Sequence, residues 1–441
     1  MNRILTRTAG IAATVIMLAC PLLAAVAEAP GDEALTIEKT IRLVQENNHL
    51  LKAGADEVRA AKARITQSRS AYLPQISASA GYTYLDPVSE MSLFGSPMLK
   101  FAPNDNYEAK VTARAIVFDF GKRGSTVNLA LTGKKTAEQS LEISRRDLSF
   151  QAVQLFYGII FLRENITVEQ KEITALSKAL EFTKKRYQTG AATRFDVLST
   201  EVRIAAARSK MLDLKQELLR QELTLRHLAG IADNSPLKIQ GSFSITPVDR
   251  KDVELLTQAL EQRLEMKLSI ENEKAAKQRR SIAMKDGLPV VSASASYGVT
   301  NGLLPDINEI RQNFVGSLKL EVPLFSGFKT SAERQEATAL MHAAAQRKFD
   351  TEQQVRSDIE ETIHAVKSSS EKIIATETQV QQAKLAAEHA RVRYENGMAT
   401  VLDLLTTEAS LSEAELAKLQ ADYSYVMSNY TLKRATGEIF W

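Results

Sequence analysis

The sequence predicts a mainly α-helical protein with a small transmembrane β portion: long coiled-coil helices, plus four strands given to a β-barrel that has to be shared between chains. Three observations predict it. The chain is written twice, each copy holds a very long helical stretch free of proline, and each copy holds two alternating apolar/polar segments, the first of them directly after a proline.

The duplication is legible residue by residue. Arg186-Tyr187-x-x-Gly190-x-x-Thr193-x-x-Asp196-x-Leu198-x-Thr200-Glu201 returns as Arg393-Tyr394-x-x-Gly397-x-x-Thr400-x-x-Asp403-x-Leu405-x-Thr407-Glu408, an offset of 394 − 187 = 207. The same offset carries Phe118 to Phe325, Lys122 to Lys329, Ala130 to Ala337 and Gly230 to Gly437. One offset over so long a stretch means two copies of one structural unit, here 28–232 and 233–441.

Residues 1–27 read as a secretory signal peptide. Arg3 and Arg7 form a basic start, Ile11 to Leu23 is a short apolar run, and Ala25-Val26-Ala27 is a small-x-small cleavage site before Glu28. The single cysteine, Cys20, lies inside this segment, so a processed chain has no disulfide, thiolate ligand or cysteine nucleophile. Leu18-Ala19-Cys20 is also a loose lipobox, which leaves lipidation of Cys20 as a second expectation. A net charge of +3 gives no electrostatic footprint for nucleic acid. No long apolar span follows the leader, so any membrane crossing has to use β-strands.

Within each repeat the expected order is helix, two strands and a long helical hairpin. In the first repeat a helix starts at the cap Thr36 and runs to about Tyr72, where Pro74 ends it. Strands follow at 76–85 and 107–118, then a hairpin over 123–229. The second repeat gives a helix over 249–286 closed by Pro289, strands at 290–299 and 313–325, and a hairpin over 329–436. In the first strand Ile76, Ala78, Ala80, Tyr82 and Tyr84 oppose Ser77, Ser79, Gly81 and Thr83. In the second, Tyr107 to Val117 opposes Glu108, Lys110, Thr112 and Arg114. Val291 to Val299 opposes Ser292, Ser294 and Ser296, and Phe314, Leu318, Leu320, Val322 and Leu324 oppose Ser317, Lys319 and Glu321.

Strands of about ten residues with one apolar face suit a membrane barrel, and a soluble sheet with one buried face alternates identically. In a barrel, Glu108, Lys110, Arg114, Lys319 and Glu321 line the lumen. Four strands cannot close a barrel, for which about eight is the smallest number that packs. Open edges in lipid strand backbone hydrogen bonds, so the strands imply an oligomer. The first hairpin loop, Asp86 to Asn106, carries Met91 and Met98 and is placed outside the cell. It exceeds the second by about eight residues, since 117 − 74 = 43 against 324 − 289 = 35.

The stretch from Arg123 to Tyr187 spans about 100 Å as one helix. Ile159, Leu162, Ile166, Ile173, Leu176, Leu180 and Tyr187 mark a heptad seam. Its counterpart has Ile359, Val366, Ile373, Val380, Ala387 and Tyr394 every seventh residue, with Thr362, Ser369, Thr376, Ala383 and Ala390 three further on. Gly190 and Gly397 supply left-handed C-caps, and Thr193 and Thr400 cap the return helices. These turns lie at the far tip from the strands. Asp196 and Asp403 sit either in a functional ring there or in a first helical turn favoured by the helix dipole.

At this point the chain resembles the TolC-like outer membrane factors of Gram-negative bacteria. The carriers are Leu35-Thr36-Ile37-Glu38 with Glu46-Asn47-Asn48, Tyr72-Leu73-Pro74, Leu288-Pro289, Val322-Pro323-Leu324-Phe325-Ser326-Gly327 and the duplicated turns. The resemblance covers essentially the whole chain after the leader. It implies a homotrimer whose twelve-stranded outer-membrane barrel continues into a twelve-helix tunnel across the periplasm. It further implies docking on a periplasmic adaptor and service to an inner-membrane transporter of the RND, ABC or MFS type. Asp196, Asp403, Tyr187 and Tyr394 then hold or line a closable periplasmic tip, and Gly190, Thr193, Gly397 and Thr400 lie in adaptor-docking turns. The sequence departs from some members at Thr406 and Ala399, where those have a second aspartate and an arginine.

A periplasmic coiled-coil adaptor or scaffold with no pore is the alternative, although two hairpins at one offset suit it poorly. An enzyme is disfavoured: His49, His227, His342, His364 and His389 are dispersed, and there is no phosphate loop or nucleophile elbow. No cofactor or metal is expected.

Overall fold

The computed structural model describes residues 34–91, 99–231, 237–243 and 252–440. The leader 1–27 with Cys20, and Met98, lie outside the described residues. The first half comprises α1 (Ile37–Asn47), α2 (His49–Ser70), β1 (Gln75–Tyr84), β2 (Glu90–Met91), β3 (Leu99–Lys100), β4 (Asp105–Phe118), α3 (Lys122–Gln188) and α4 (Arg194–Ala229). The second comprises α5 (Asp252–Gln262), α6 (Leu264–Lys285), β5 (Val290–Thr300), β6 (Arg311–Glu321), α7 (Lys329–Glu395) and α8 (Val401–Thr436).

The opening helix of each half is broken, where the sequence suggested one piece. Asn48 takes extended backbone angles, and its side chain accepts from the Leu50 N–H at 2.9 Å, starting α2. The amides of Asn47 and Asn48 donate to the Ala229 and Leu228 carbonyls at 3.2 and 3.1 Å, satisfying the end of α4. In the second half Arg263 makes the break, with no side-chain cap. Its guanidinium is engaged by Glu265 at 3.1 Å and Asp358 at 2.6 Å.

Against each break lies the C-terminal glycine of a return helix. Gly230 and Gly437 are left-handed, at φ 66° and 74°. A Cβ on Gly437 would stand 2.8 Å from the backbone carbonyl carbon of Gln262. So α4 stops where α2 begins, and the two serve in turn as neighbours of α3. With 67 residues, α3 and α7 each reach about 100 Å, and the 36-residue α4 and α8 only about half that. Four helices lie abreast at either level: α2, α3, α6 and α7 toward the sheet, and α4, α3, α8 and α7 toward the tip.

The heptad seams are the buried stripes. Ile159, Leu162, Ile173 and Leu176 are buried in α3. In α7 the small Thr362, Ser369 and Thr376 are buried while Ile373 and Val380 are only half so, because small residues let helix backbones approach. Tyr187, the last position of the first seam, is 48% exposed.

A charge knot locks the two halves together near the breaks. Buried Arg146 donates two hydrogen bonds to Glu265, at 2.9 and 2.8 Å, and reaches Asp147 at 2.9 Å. Arg434 touches the same Asp147 at 3.1 Å. Partial burial disfavours the Glu265 carboxylate, but hydrogen bonds and charge from Arg146, with Arg263 behind, outweigh it and hold the group down at about 2.

The four long strands form one antiparallel sheet in the order β1-β4-β5-β6. Register puts Gln75, Arg114, Ser294 and Ser317 in one row, and pairs Ser79 with Lys110, Gly81 with Glu108 and Ser292 with Lys319. The polar residues therefore share a face. On the opposite face Phe314, Leu318 and Leu320 are 69%, 74% and 64% exposed, so no other described part of the chain covers it. Gly298 permits the β4–β5 approach, since a Cβ there would fall 2.1 Å from the Ala109 oxygen. The fourth strand stops at Glu321 rather than 325, since Pro323 has no N–H to continue the ladder. The extra length of the first hairpin is a two-stranded ribbon, β2 with β3. No described helix is long and apolar enough to cross a membrane.

Sheet passes to helix through two consecutive left-handed residues in each half, Phe120-Gly121 and Gly327-Phe328. At the first junction Arg123 bonds Asp119 at 3.1 Å, donates to the Ile116 carbonyl at 2.8 Å and lies over the Tyr72 ring. At the second, the Ser326 and Thr330 hydroxyls bond at 2.9 Å.

Gly437→Ala is expected to cost about 3 kcal/mol, from left-handed strain plus overpacking. Gly190→Ala, with open space around it, should cost about 1 kcal/mol. Thermal unfolding in detergent followed by circular dichroism at 222 nm measures both. Glu265→Gln leaves buried Arg146 with Asp147 as its remaining carboxylate and should cost about 2 kcal/mol at pH 7. Because the folded carboxyl is held low, this contribution is full above the ordinary range. It should fade as pH falls from 4.5 toward about 2, so melting curves of wild type and variant converge there.

Candidate functional site

Two regions hold the residues singled out from sequence: the helical tip and the polar face of the sheet. At the tip each long helix ends in a paired-bond glycine cap. Gly190 N–H bonds the Tyr187 carbonyl at 3.1 Å and Ala191 N–H bonds Arg186 at 2.8 Å; Gly397 and Met398 repeat this on Tyr394 and Arg393 at 3.1 and 2.8 Å. Both glycines are left-handed, at φ 77° and 76°.

The return helices then start with reciprocal capping boxes. The Asp196 N–H donates to the Thr193 hydroxyl at 3.2 Å, and the Asp196 carboxylate accepts from the Thr193 N–H at 2.8 Å. Thr400 and Asp403 do the same at 3.1 and 2.9 Å. The first-turn role weighed for both aspartates is therefore present. Asp403 is exposed nonetheless, and hydrogen bonds from Thr400, backbone first and hydroxyl second, with Arg393 nearby, keep its carboxyl below the usual range. It stands as an exposed anion with free oxygen surface.

The duplicated tyrosines are not equivalent. Tyr394 is buried: its hydroxyl meets the Thr183 hydroxyl at 2.7 Å, Phe182 packs edge-on at 5.5 Å, and Arg186 lies over its ring. Arg186 also donates to the Tyr394 carbonyl at 3.1 Å, which ties α3 to α7 across the two hairpins. Tyr187 has no such socket among the described residues. The sequence motif contained both arginines, yet Arg393 folds back onto its own turn, donating to the Met398 carbonyl at 3.2 Å. The duplicated glutamates act locally. Glu201 pairs with Lys184 at 2.8 Å, and Glu408 with Arg391 at 2.5 Å, each clamping its own hairpin. Arg203 donates to the Leu405 carbonyl at 3.2 Å, bridging α4 and α8. Thr183, Phe182 and Arg203 lie outside the sequence motif, and the partners of Arg186 within it are revealed only by the packing of one hairpin on the other.

On the sheet, Glu108, Lys110, Arg114, Lys319 and Glu321 do share one face. Glu108 pairs with Lys110, and Lys319 with Glu321 at 2.8 Å. The sheet is thus amphipathic, attached to a helical stalk about 100 Å long.

The family model described as outer membrane efflux protein matches residues 40–231 and 255–438. The chain belongs to this family. Among its relatives, Outer membrane protein TolC of Vibrio cholerae is 24% identical over 403 residues, covering 90% of this chain and 89% of that protein. Alkaline protease secretion protein AprF of Pseudomonas aeruginosa is 23% identical over 408 residues, covering 88% and 82%. The solved structure of the outer membrane protein VceC from Vibrio cholerae shares the fold, with a TM-score of 0.78, 21% identity and coverage of 91% of this chain and 96% of that one. As an outer membrane efflux protein, the chain is an exit duct of an efflux or secretion system, seated in the outer membrane and extending into the periplasm. Several relatives carry efflux, secretion or export in their names, and membership of the efflux family sets a pore-less scaffold aside.

Thr193→Ala and Thr400→Ala should each cost about 1 kcal/mol as lost helix caps. Tyr394→Phe should cost about 1 kcal/mol, as a lost buried hydroxyl contact, whereas Tyr187→Phe should be neutral. Chemical unfolding in detergent distinguishes them.

Proposed function

We propose that three chains assemble, each giving four strands to a twelve-stranded barrel and its helices to a tunnel that opens into that barrel. The observation that carries this is the sheet itself: β1 and β6 are free edges, and the apolar face is uncovered. Joining β6 of one chain to β1 of the next removes both liabilities at once. The strands, 10 to 14 residues long, suit a tilted membrane crossing. Phe118, Phe120, Phe325 and Phe328 cluster at the sheet–helix junctions, where an interfacial aromatic girdle belongs, against outer-membrane lipid.

The tip is the movable end. In a threefold ring Asp403, and in the other turn Asp196, place carboxylates around the axis, where they repel one another and attract cations. Tyr394, held by Thr183 and Arg186, joins the two hairpins of one chain, and Tyr187 remains available to a neighbour. The turns at Gly190, Thr193, Gly397 and Thr400 present backbone to a periplasmic adaptor, through which an inner-membrane transporter of RND, ABC or MFS type delivers substrate. The duct itself needs no cofactor. The leader 1–27 directs export, with Cys20 either removed with it or acylated, and the repeats 28–232 and 233–441 supply the two hairpins.

Light scattering with detergent correction on protein extracted from outer membranes should give three chains per particle; a monomer overturns the assembly. In planar bilayers Asp403→Asn should reduce block by multivalent cations and alter conductance, and unchanged single-channel behaviour rejects its place in the constriction.

A further inference from the structure

The charges on the polar face of the sheet do not cancel. Glu108 neutralises Lys110, Glu321 neutralises Lys319 and Glu309 neutralises Arg311. Arg114 alone on that face has no carboxylate partner among the described residues, and it is exposed. Its neighbours in the row are Gln75, Ser294 and Ser317, whose two serine hydroxyls bond one another at 2.8 Å. Together with Ser292 and Lys319 they line a recess of about 420 Å³. Every polar side chain there is a cation, a hydroxyl or an amide, and each can donate a hydrogen bond. The position follows from strand geometry. Arg114 is 118 − 114 = 4 residues from the end of β4, so about 13 Å from the helical junction, at the mouth where the tunnel enters the barrel.

We infer that this recess is an anion-binding station in the barrel lumen, with Arg114 as the residue that determines its selectivity. It takes carboxylate, phosphate or sulfonate groups of passing solutes. The inference rests on the shared-barrel assembly, in which three copies of Arg114 ring the lumen. A guanidinium presents a planar fork that matches such oxyanions two bonds at a time, and Lys319 and the serines complete the shell. In a narrow lumen with low-dielectric walls, uncompensated charge of one sign concentrates counter-ions of the other. Asp403 at the tip works in the opposite sense, so the duct would meet its cargo with an acidic entrance and a basic station at the base of the barrel.

Planar-bilayer recording of wild type, Arg114→Ser and Arg114→Lys tests this, with reversal potential in a KCl gradient and block by citrate as the readouts. Arg114→Ser should shift the reversal potential toward cation selectivity and raise the half-blocking citrate concentration about tenfold, the effect of one lost charge-assisted hydrogen bond. Arg114→Lys should keep the reversal potential of wild type and part of the citrate block. Channels that conduct normally with neither readout moved by Arg114→Ser overturn the inference alone, and an Arg114 silenced by a neighbouring chain's Glu321 would give that result. A wild-type protein that yields no conductance steps overturns the shared barrel, and the station with it.

Discussion

Unpaired backbone at the edges of an amphipathic sheet is the constraint on which the rest of this molecule depends. Water would solvate the edges of β1 and β6, but it would punish the exposed Phe314, Leu318 and Leu320 on the apolar face. Lipid accepts that face and punishes the edges. Only closure with further strands satisfies both, and the described chain carries none to spare. The helices inherit the result, because a sheet that curves into a barrel wall fixes where the stalk beneath it must run.

The stalk answers with end-to-end substitution. Neither α2 nor α4 is long enough to accompany α3, so each covers part of it, and the handover is made at a helix break. The breaks are built from different chemistry in the two halves: an asparagine cap in one, an arginine held by two carboxylates in the other. The Arg146–Glu265 pair is not duplicated, since the corresponding residues of the other copy are Gln353 and Leu50. A second buried link between the halves, Tyr394 with Thr183, lies at the tip end of α3.

Near-identical tip sequences end up in unlike environments for the same reason. A duplicated motif fixes the turn, the glycine cap and the capping box, all of which close within a few residues. It does not fix what lies across from the turn. Tyr394 faces Thr183 and Arg186 of α3, while Tyr187 faces no second hairpin of its own chain.

By itself the sequence determined whatever is decided locally or by period: the duplication, the two long helices, the glycine and threonine caps and the sidedness of every strand. Those features depend on φ preferences, on side-chain spacing and on hydrogen bonds between residues a turn apart, all of which a linear string carries. It misjudged the continuity of the opening helices, because Asn48 reads as an ordinary helical residue until Leu228 stands beside it, and it carried the fourth strand past Pro323. Tertiary structure alone decided which of two equal tyrosines is buried, which arginines cross between hairpins, that Arg146 is knotted to Glu265, and that Arg114 has no carboxylate partner among the described residues. Each depends on a partner far away in sequence, and pairings of that kind are set by how the helices and strands lie against one another rather than by any pattern along the chain.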